Sequence, residues 1–427
     1  MRTSLYFTLL TLAVCISAGA SAQALSPDYS GDLWSRTKLT GDWGGTRTAW
    51  ASKGFTIDLD YTGTYQNIVN GGFDEADDFV SSADLVLNLD TGKAGLWPGG
   101  FFKTRVETRF GKSVNSQAGT LQPVNGDALF PAVPDQVDQD VGGITELTFT
   151  QFLSPKFGVI LGLINGMGGD ANELAGSPGS DSHFLNSAFR YSVIAATIPG
   201  GAPMVTLAAG AIFVPNDWIL GSLMLMDTEE SSGHNPFDTN EGTTLATEWT
   251  IKHELGGESG GQVIGLIYSF DTDFVAIGED PRDNIPNTGV PATDDDVLAV
   301  YYNVYQYVWS EGDRKWGVFG RFGFTDGEAI FDWDMSVGVG GKGMFSSRPN
   351  DTFGLGYYYT KPSDAAPLRL LGLDDEQGME AWYNFEITPW FHLTADLQVI
   401  DPGQEGTPLS AGADTAWVLG LRTRLNF

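Results

Sequence analysis

A row of alternating charges at residues 103–109 is the part of the chain best suited to contact a small polar solute. Lys103, Arg105, Glu107 and Arg109 are separated by single residues, so they share one face of an extended strand. Ammonium and guanidinium groups donate hydrogen bonds, and carboxylates accept them. A row with both kinds can replace the water that a polyhydroxyl solute sheds. Pairing of each charge with a neighbour on the same wall is the alternative interpretation, and it stays open.

Other charges fall on similar alternating segments, and together they form the predicted solute-contacting set. Its members are Lys103, Arg105, Glu107, Arg109, Arg321, Glu380, Arg422 and Arg424. The chain shows no common catalytic motif. It has only four histidines, and it contains neither a Gly-x-Ser-x-Gly elbow nor a His-Glu-x-x-His motif. We therefore expect no enzyme activity, no catalytic residues, no resident metal and no cofactor.

The elements that must position these charges are β-strands, because apolar and polar residues alternate with a period of two. Phe102 and Phe110 oppose the charged row, and Trp417, Leu419 and Leu421 oppose Arg422 and Arg424. The pattern predicts sixteen strands, at about 55–69, 81–91, 101–111, 143–153, 156–165, 187–199, 203–214, 243–256, 261–272, 296–309, 314–325, 331–341, 351–361, 378–389, 390–401 and 414–427.

The predicted connections sort by length. Those after even-numbered strands are short, as at 154–155, 200–202 and 257–260, whereas several after odd-numbered strands are long, as at 112–142, 166–186, 215–242, 273–295 and 362–377. Short periplasmic turns that alternate with long external loops are typical of outer-membrane barrels, and a soluble β-protein has no reason to show them. We therefore predict an all-β fold, a transmembrane antiparallel β-barrel of about sixteen strands with a short N-terminal helical segment.

Composition agrees with a barrel and excludes two other classes. The 54 acidic and 23 basic residues give a formal net charge of −31, which repels nucleic acid. Glycine accounts for 55 of the 427 residues, and charged residues for only 18%. No run of 18 apolar residues follows the N-terminus, which argues against membrane-spanning helices.

The N-terminal residues indicate export from the cytoplasm. A basic start, an apolar stretch and an Ala-Ser-Ala site at 20–22 predict a signal peptide over residues 1–22. Cys15, the only cysteine, lies inside it. Residues 23–54 are predicted as an N-terminal segment with a short helix near 46–52, and residues 55–427 as the barrel. We expect a multi-pass barrel in the outer membrane of a Gram-negative cell, in contact with lipid and lipopolysaccharide.

Acidic clusters fall in the predicted external loops. They lie at 74–78, 135–140, 227–230, 294–296 and 374–376. Carboxylates at this spacing could bind Ca²⁺ or bridge lipopolysaccharide through divalent cations. The alternative is a solvated acidic rim without bound ions.

Three groups of motifs resemble the carbohydrate-selective porins of the OprB family. They are residues 39–47 (LTGDWGGTR), residues 348–356 (RPNDTFGLG), and residues 380–389, 396–403 and 420–427 near the end of the chain. The resemblance implies a sixteen-stranded outer-membrane porin that takes up glucose or related sugars by facilitated diffusion. Phe427, an aromatic residue at the end of an alternating strand, resembles the signal read by the barrel assembly machinery.

The predicted function is passive diffusion of glucose-type mono- or small oligosaccharides into the periplasm. Sixteen strands leave an aqueous channel, and no nucleotide-binding motif supplies energy. A general, weakly cation-preferring diffusion porin without a sugar site is the alternative, because the chain is acidic. Both a monomer and a homotrimer remain open, although the resemblance favours a monomer.

Overall fold

The computed structural model describes residues 29–129, 140–166, 171–176, 183–190, 205–228, 242–270, 274–275, 293–294, 296–326, 331–363, 372–404, 406–407 and 410–427. Its main element is a closed barrel of sixteen strands. In chain order, β1 to β16 are Phe55–Gly72, Asp77–Asp90, Gly100–Gly111, Val141–Ser154, Phe157–Asn165, Val205–Asn216, Ile219–Asp227, Thr243–Leu255, Glu258–Phe270, Val297–Glu311, Arg314–Thr325, Phe331–Lys342, Thr352–Pro362, Glu376–Thr388, Phe391–Asp401 and Asp414–Asn426.

Every barrel strand pairs antiparallel with its neighbours in the chain, and β1 pairs with β16 to close the ring. The closing register runs from Asp60 opposite Asn426 to Gly72 opposite Asp414, with shifts on either side of Asn70. Closure leaves no free strand edge, which is what allows a sheet to span lipid. The predicted all-β barrel and its strand number are confirmed.

The two faces of the wall differ as the alternation predicts. Phe102 and Phe110 of β3 are 40% and 44% exposed on the outer surface, whereas Glu107 and Arg109 between them are only 6% and 3% exposed. In β16, Leu421 is exposed while Arg422 is buried. The apolar side chains therefore face outward, and the charged row faces the lumen.

The sixth predicted strand, 187–199, is wrong and one strand was missed, so the total of sixteen is unchanged. The seventh predicted strand, 203–214, is confirmed as β6, Val205–Asn216. The described part of the predicted strand 187–199 is a 3-10 turn, Ser187–Phe189, and it lies inside the lumen rather than in the wall. A strand that the sequence analysis placed within the loop 215–242 is β7, Ile219–Asp227. The turn predicted at 200–202 falls outside the described residues. Residues 187–199 were predicted as a strand because they are largely apolar. A short apolar segment can be a buried loop as well as a strand, and the sequence pattern does not separate the two.

The corrected strand order strengthens the predicted sorting of connections. After even-numbered strands, the turns at 155–156, 217–218, 256–257, 312–313 and 389–390 are tight. The longest connections, 112–140, 166–204, 228–242 and 271–296, all follow odd-numbered strands. By the barrel rule, the tight turns mark the periplasmic end and the long loops mark the external end.

The motif at 348–356 locks the periplasmic turn 343–351. Arg348 donates two hydrogen bonds to the Asp351 carboxylate, at 2.7 and 2.9 Å. These bonds raise the pKa of the Arg348 guanidinium above its ordinary value. Asp351 also accepts from the Tyr383 hydroxyl at 2.8 Å and from the Glu386 backbone N–H at 3.0 Å. The motif therefore fixes the turn to β14.

The motif at 39–47 closes the barrel at the same end. It leads into α1, Thr46–Ser52, which is the predicted N-terminal helix. Trp43 has a φ of 50° and Gly44 a φ of 69°, so the chain turns sharply before α1. Leu39 donates its backbone N–H to the Asn426 carbonyl at 2.7 Å. The segment is thereby attached to the β1–β16 seam.

The predicted signal peptide lies outside the described residues and stays a prediction. No helix in the described part of the chain is long and apolar enough to cross a membrane.

Candidate solute-binding site in the lumen

Two loops fold into the lumen, and they determine which wall residues a solute can reach. The first, described at 112–129, follows β3 and contains the short helix α2, Asn115–Ala118. The second connects β5 to β6 and is described at 171–176 and 183–190. Val124 of the first loop accepts hydrogen bonds from Gln66 and Gln398 of the wall, at 3.1 and 2.8 Å. Asn172 of the second donates to Asn303 at 2.7 Å.

Glu376 holds the first loop. One of its oxygens accepts from the backbone N–H of Leu121 at 2.5 Å, and the other accepts from that of Gln122 at 2.9 Å. The Tyr358 hydroxyl and the Gly403 backbone N–H add bonds at 2.8 and 3.2 Å. Four donors to one buried carboxylate make a strong, directional anchor.

Glu380 holds the second loop in the same way. Its two oxygens accept from the backbone N–H groups of Leu185 and Asn186, at 2.6 and 2.9 Å. Glu376 and Glu380 are four residues apart on β14, so both point into the lumen. One strand therefore anchors two loops through carboxylates that each receive two successive backbone amides.

Arg422 links the two loops. It donates to Asp127 of the first loop at 3.3 Å and to the His183 carbonyl of the second. Asp127 also pairs with Arg190 of the second loop. This ion-pair network ties the two loops to each other and to β16.

The predicted row on β3 faces the lumen, and its members have different partners: Lys103 and Arg105 pair with wall carboxylates, whereas Arg109 contacts a loop. Lys103 pairs with Glu146 of β4 at 2.7 Å, and Arg105 pairs with Glu107 at 3.1 Å. Arg109 donates to the Ala128 carbonyl of the first loop. The Arg105 side chain keeps 20% exposure. Arg105 is therefore accessible from the lumen, while Arg109 serves to hold a loop.

The remaining predicted residues also face the lumen. Arg321 is 3% exposed, with its guanidinium carbon 5.7 Å from the Phe319 ring centroid. Arg424 lies 3.4 Å from Asp60 across the closing seam. The structure thus brings all eight predicted residues to one interior surface. Direct contact between any of them and a solute stays a prediction.

Two of the loop anchors, Glu376 and Asp127, were not predicted from the sequence, whereas Glu380 and Arg422 were predicted as lumen residues. Glu376 was grouped with the acidic cluster 374–376 of a predicted external rim, yet it is 0% exposed inside the barrel. It is the first residue of β14 and stands four residues before Glu380, so both side chains lie on the same face of the strand. This spacing could have predicted that Glu376 faces the lumen. Asp127 had no signal, because nothing in the sequence shows that its loop turns inward.

The predicted Ca²⁺ sites are not visible as clusters. No group of three or more His, Cys, Asp or Glu side chains converges within the described residues. Several acidic positions of the external loops, among them 135–139 and 229–230, lie outside those residues. Calcium at the rim therefore stays a prediction.

Comparison with known proteins agrees with this geometry. The profile of the carbohydrate-selective porins, OprB family, matches residues 80–427. The chain belongs to this family. It is 24% identical to Porin B of Pseudomonas aeruginosa, covering 96% of this chain and 94% of that protein. It is also 24% identical to the putative porin QuiX of Acinetobacter baylyi, covering 93% of this chain and 95% of that one.

Solved structures show the same fold. The high-pH structure of Pseudomonas putida OprB superposes with a TM-score of 0.80 and 21% identity, covering 93% of this chain and all of that one. The low-pH structure of the same protein gives a TM-score of 0.57. This OprB-family protein is thus a porin of the Gram-negative outer membrane and not an enzyme, and carbohydrates are its permeating solutes.

The division of the β3 row leads to a first prediction. Arg105→Ala is expected to weaken sugar binding about three- to ten-fold, because one charge-assisted hydrogen bond is lost from an accessible wall position. Arg109→Ala is expected to alter conductance instead, because it releases the Ala128 carbonyl and loosens the first loop. Sugar titration and reversal potentials in planar bilayers measure both. Equal, unchanged values for the two variants would show that the row takes no part in permeation.

Proposed function

We propose that this porin conducts glucose-type mono- and small oligosaccharides into the periplasm by passive facilitated diffusion. The observation that supports this most is the pair of infolded loops, which Glu376 and Glu380 fix to β14. An open barrel of sixteen strands would pass small solutes with little discrimination. A lumen narrowed by fixed loops forces a solute to contact the wall.

The proposed mechanism follows from the loss of water by a sugar as it enters the narrowed lumen. A sugar that loses water in a narrow lumen needs replacement donors and acceptors, because each unpaired polar group costs about 1–3 kcal/mol. Lumen cations such as Arg105 donate, and carboxylates accept. Binding must remain weak, since tight binding would slow release on the periplasmic side. The concentration gradient alone then sets the direction of net flow.

A general diffusion porin with weak cation preference is the second candidate. The formal net charge of −31 favours it, because acidic walls attract cations. It predicts conduction of small ions and neutral solutes by size alone. Narrowing by fixed loops would serve either candidate, because it also sets a size limit. The accessible Arg105 guanidinium on the narrowed wall favours the first candidate, since it can donate hydrogen bonds to sugar hydroxyls.

The test is single-channel conductance of the refolded porin in a planar bilayer, titrated with glucose, sucrose and an unrelated polyol. A binding site predicts saturable block of the ion current by a sugar and little block by the polyol. Conductance that no sugar blocks would remove the sugar site and assign general diffusion instead.

We further propose partners for the surfaces of the porin. The outer wall contacts lipid and lipopolysaccharide, Phe427 is read by the assembly machinery, and the porin is a monomer or a homotrimer. Phe427 donates its backbone N–H to the Leu59 carbonyl at 2.7 Å, so it ends the closing strand within the wall.

Two experiments test the remaining proposals. Calcium titration of the thermal stability tests for ions bound at the external rim. The mass of the detergent-solubilised porin distinguishes a monomer from a trimer.

A further inference from the structure

A second group of lumen residues, outside the predicted set, is built around Glu173 of the second loop. The backbone on each side of Glu173 is fixed. Asn172 donates from its side chain to Asn303 at 2.7 Å and accepts from the Leu174 N–H at 3.0 Å. Leu174 and Ala175 are buried. Glu173 therefore projects from an immobilised stretch of the loop.

Three side chains of β10 and β11 orient the Glu173 carboxylate. One oxygen accepts from the Tyr305 hydroxyl at 3.0 Å, and the other accepts from the Tyr307 hydroxyl at 2.9 Å. The second oxygen also lies 3.3 Å from the Lys315 ammonium, which stands 3.9 Å from the centre of the Tyr307 ring. We call Glu173, Tyr305, Tyr307 and Lys315 the Glu173 cluster.

In the Glu173 cluster the two tyrosines are buried, whereas the two charged side chains are exposed. Tyr305 and Tyr307 are only 6% and 4% exposed, so their hydroxyls are fixed donors. The Glu173 and Lys315 side chains, however, are 43% and 40% exposed. The Lys103–Glu146 pair of the same lumen is exposed by only 12% and 2%. A solute therefore has far better access to the Glu173 cluster.

The position of the Glu173 cluster places it on the way out of the lumen. Lys315 is the second residue of β11, directly after the tight turn 312–313 at the periplasmic end. Lys252 of β8 also interacts electrostatically with Glu173. Two cations, Lys315 and Lys252, therefore attract the carboxylate in the periplasmic half of the lumen.

From this geometry we infer that the Glu173 cluster is a sugar-binding subsite for carbohydrates that carry adjacent hydroxyl groups. A carboxylate has about four lone-pair positions, and three contacts leave room for a further O–H donor. The Lys315 ammonium has three donors and can supply one to a neighbouring sugar oxygen. Adjacent hydroxyls match this acceptor and donor pair. The inference rests on the proposed sugar-porin function and adds a specific place for recognition.

The experiment compares glucose block of single channels in three variants with the wild-type porin. Glu173→Gln is expected to raise the dissociation constant of glucose about ten-fold, because a charged acceptor becomes a neutral amide. The double variant Tyr305→Phe, Tyr307→Phe keeps the charge but loses its orientation. It is expected to weaken glucose binding about three-fold or more while ion selectivity stays unchanged. Glu311→Gln removes an equal charge from the exposed end of β10 and should behave as wild type.

The outcomes separate this inference from the proposed function. Wild-type block that persists unchanged in Glu173→Gln and in the double tyrosine variant, both with the heat-modifiable migration of a folded barrel, overturns the subsite alone. An ion-selectivity change in Glu173→Gln without any loss of glucose affinity would reduce Glu173 to a charge on the wall and also overturns it. Absence of sugar block in the wild-type porin overturns the proposed function and, with it, this inference.

Discussion

Replacing both Glu376 and Glu380 with glutamine is expected to raise single-channel conductance at least about two-fold and to abolish sugar block, because the released lumen approaches that of an open sixteen-stranded barrel. Each carboxylate accepts two successive backbone N–H groups. A glutamine presents one oxygen and places an NH₂ group against the second donor. Each orphaned buried donor costs about 1–3 kcal/mol, so the infolded loops lose much of their stability. Conductance and sugar titration in planar bilayers measure the effect.

The matched control is Glu386→Gln on the same strand. Glu386 accepts from Asn350 at 2.8 Å in the periplasmic turn and makes no hydrogen bond to the described residues of either loop. It should leave conductance and block close to the wild-type values. If the Glu376→Gln, Glu380→Gln double variant folds, conducts and binds sugar like the wild type, the two glutamates do not fix the loops that narrow the lumen.

Replacing Arg47 with methionine is expected to lower the free energy of unfolding by about 3 kcal/mol, since removal of one partner leaves buried groups unpaired. Arg47 is 2% exposed, and its guanidinium donates to the Ile57 carbonyl at 2.6 Å and the Phe427 carbonyl at 2.9 Å. It also pairs with Asp58 at 3.1 Å and lies over the Tyr29 ring at 4.3 Å. Urea unfolding of the porin in lipid vesicles measures the change.

Lys53→Met is the control for Arg47. Lys53 follows the same helix and is exposed, so its loss removes one charge without a buried contact. Stability is expected to change by less than about 0.5 kcal/mol. If Arg47→Met unfolds at the same urea concentration as Lys53→Met, the N-terminal segment does not stabilise the β1–β16 seam.

The wall of the barrel could be predicted because lipid imposes a simple rule on it. Outward residues such as Phe102 and Leu421 must be apolar, and their neighbours Lys103 and Arg422 are free to be charged. The rule failed at the start of the predicted strand 187–199, because Ser187–Phe189 lie inside the lumen instead of in the wall. An interior loop that packs against other loops buries apolar side chains as a strand does, so composition cannot separate the two.

The lumen site was only partly predictable for a related reason. Alternation showed that Arg105, Glu380 and Arg422 face inward, and the structure agrees. It could not show that Glu380 and Arg422 hold loops, because the loop partners Leu185, Asn186 and Asp127 are far away in the sequence. Long-range contacts of backbone amides leave no pattern in the residue types that make them.

The measurement that tests the central claim most directly is the initial rate of labelled glucose uptake into vesicles containing the wild-type porin. Passage through a binding site predicts a rate that saturates with glucose concentration and falls when a second sugar competes, while an unrelated polyol competes poorly. A rate that rises linearly over the whole concentration range, with no competition by any sugar, would contradict a selective site in the lumen.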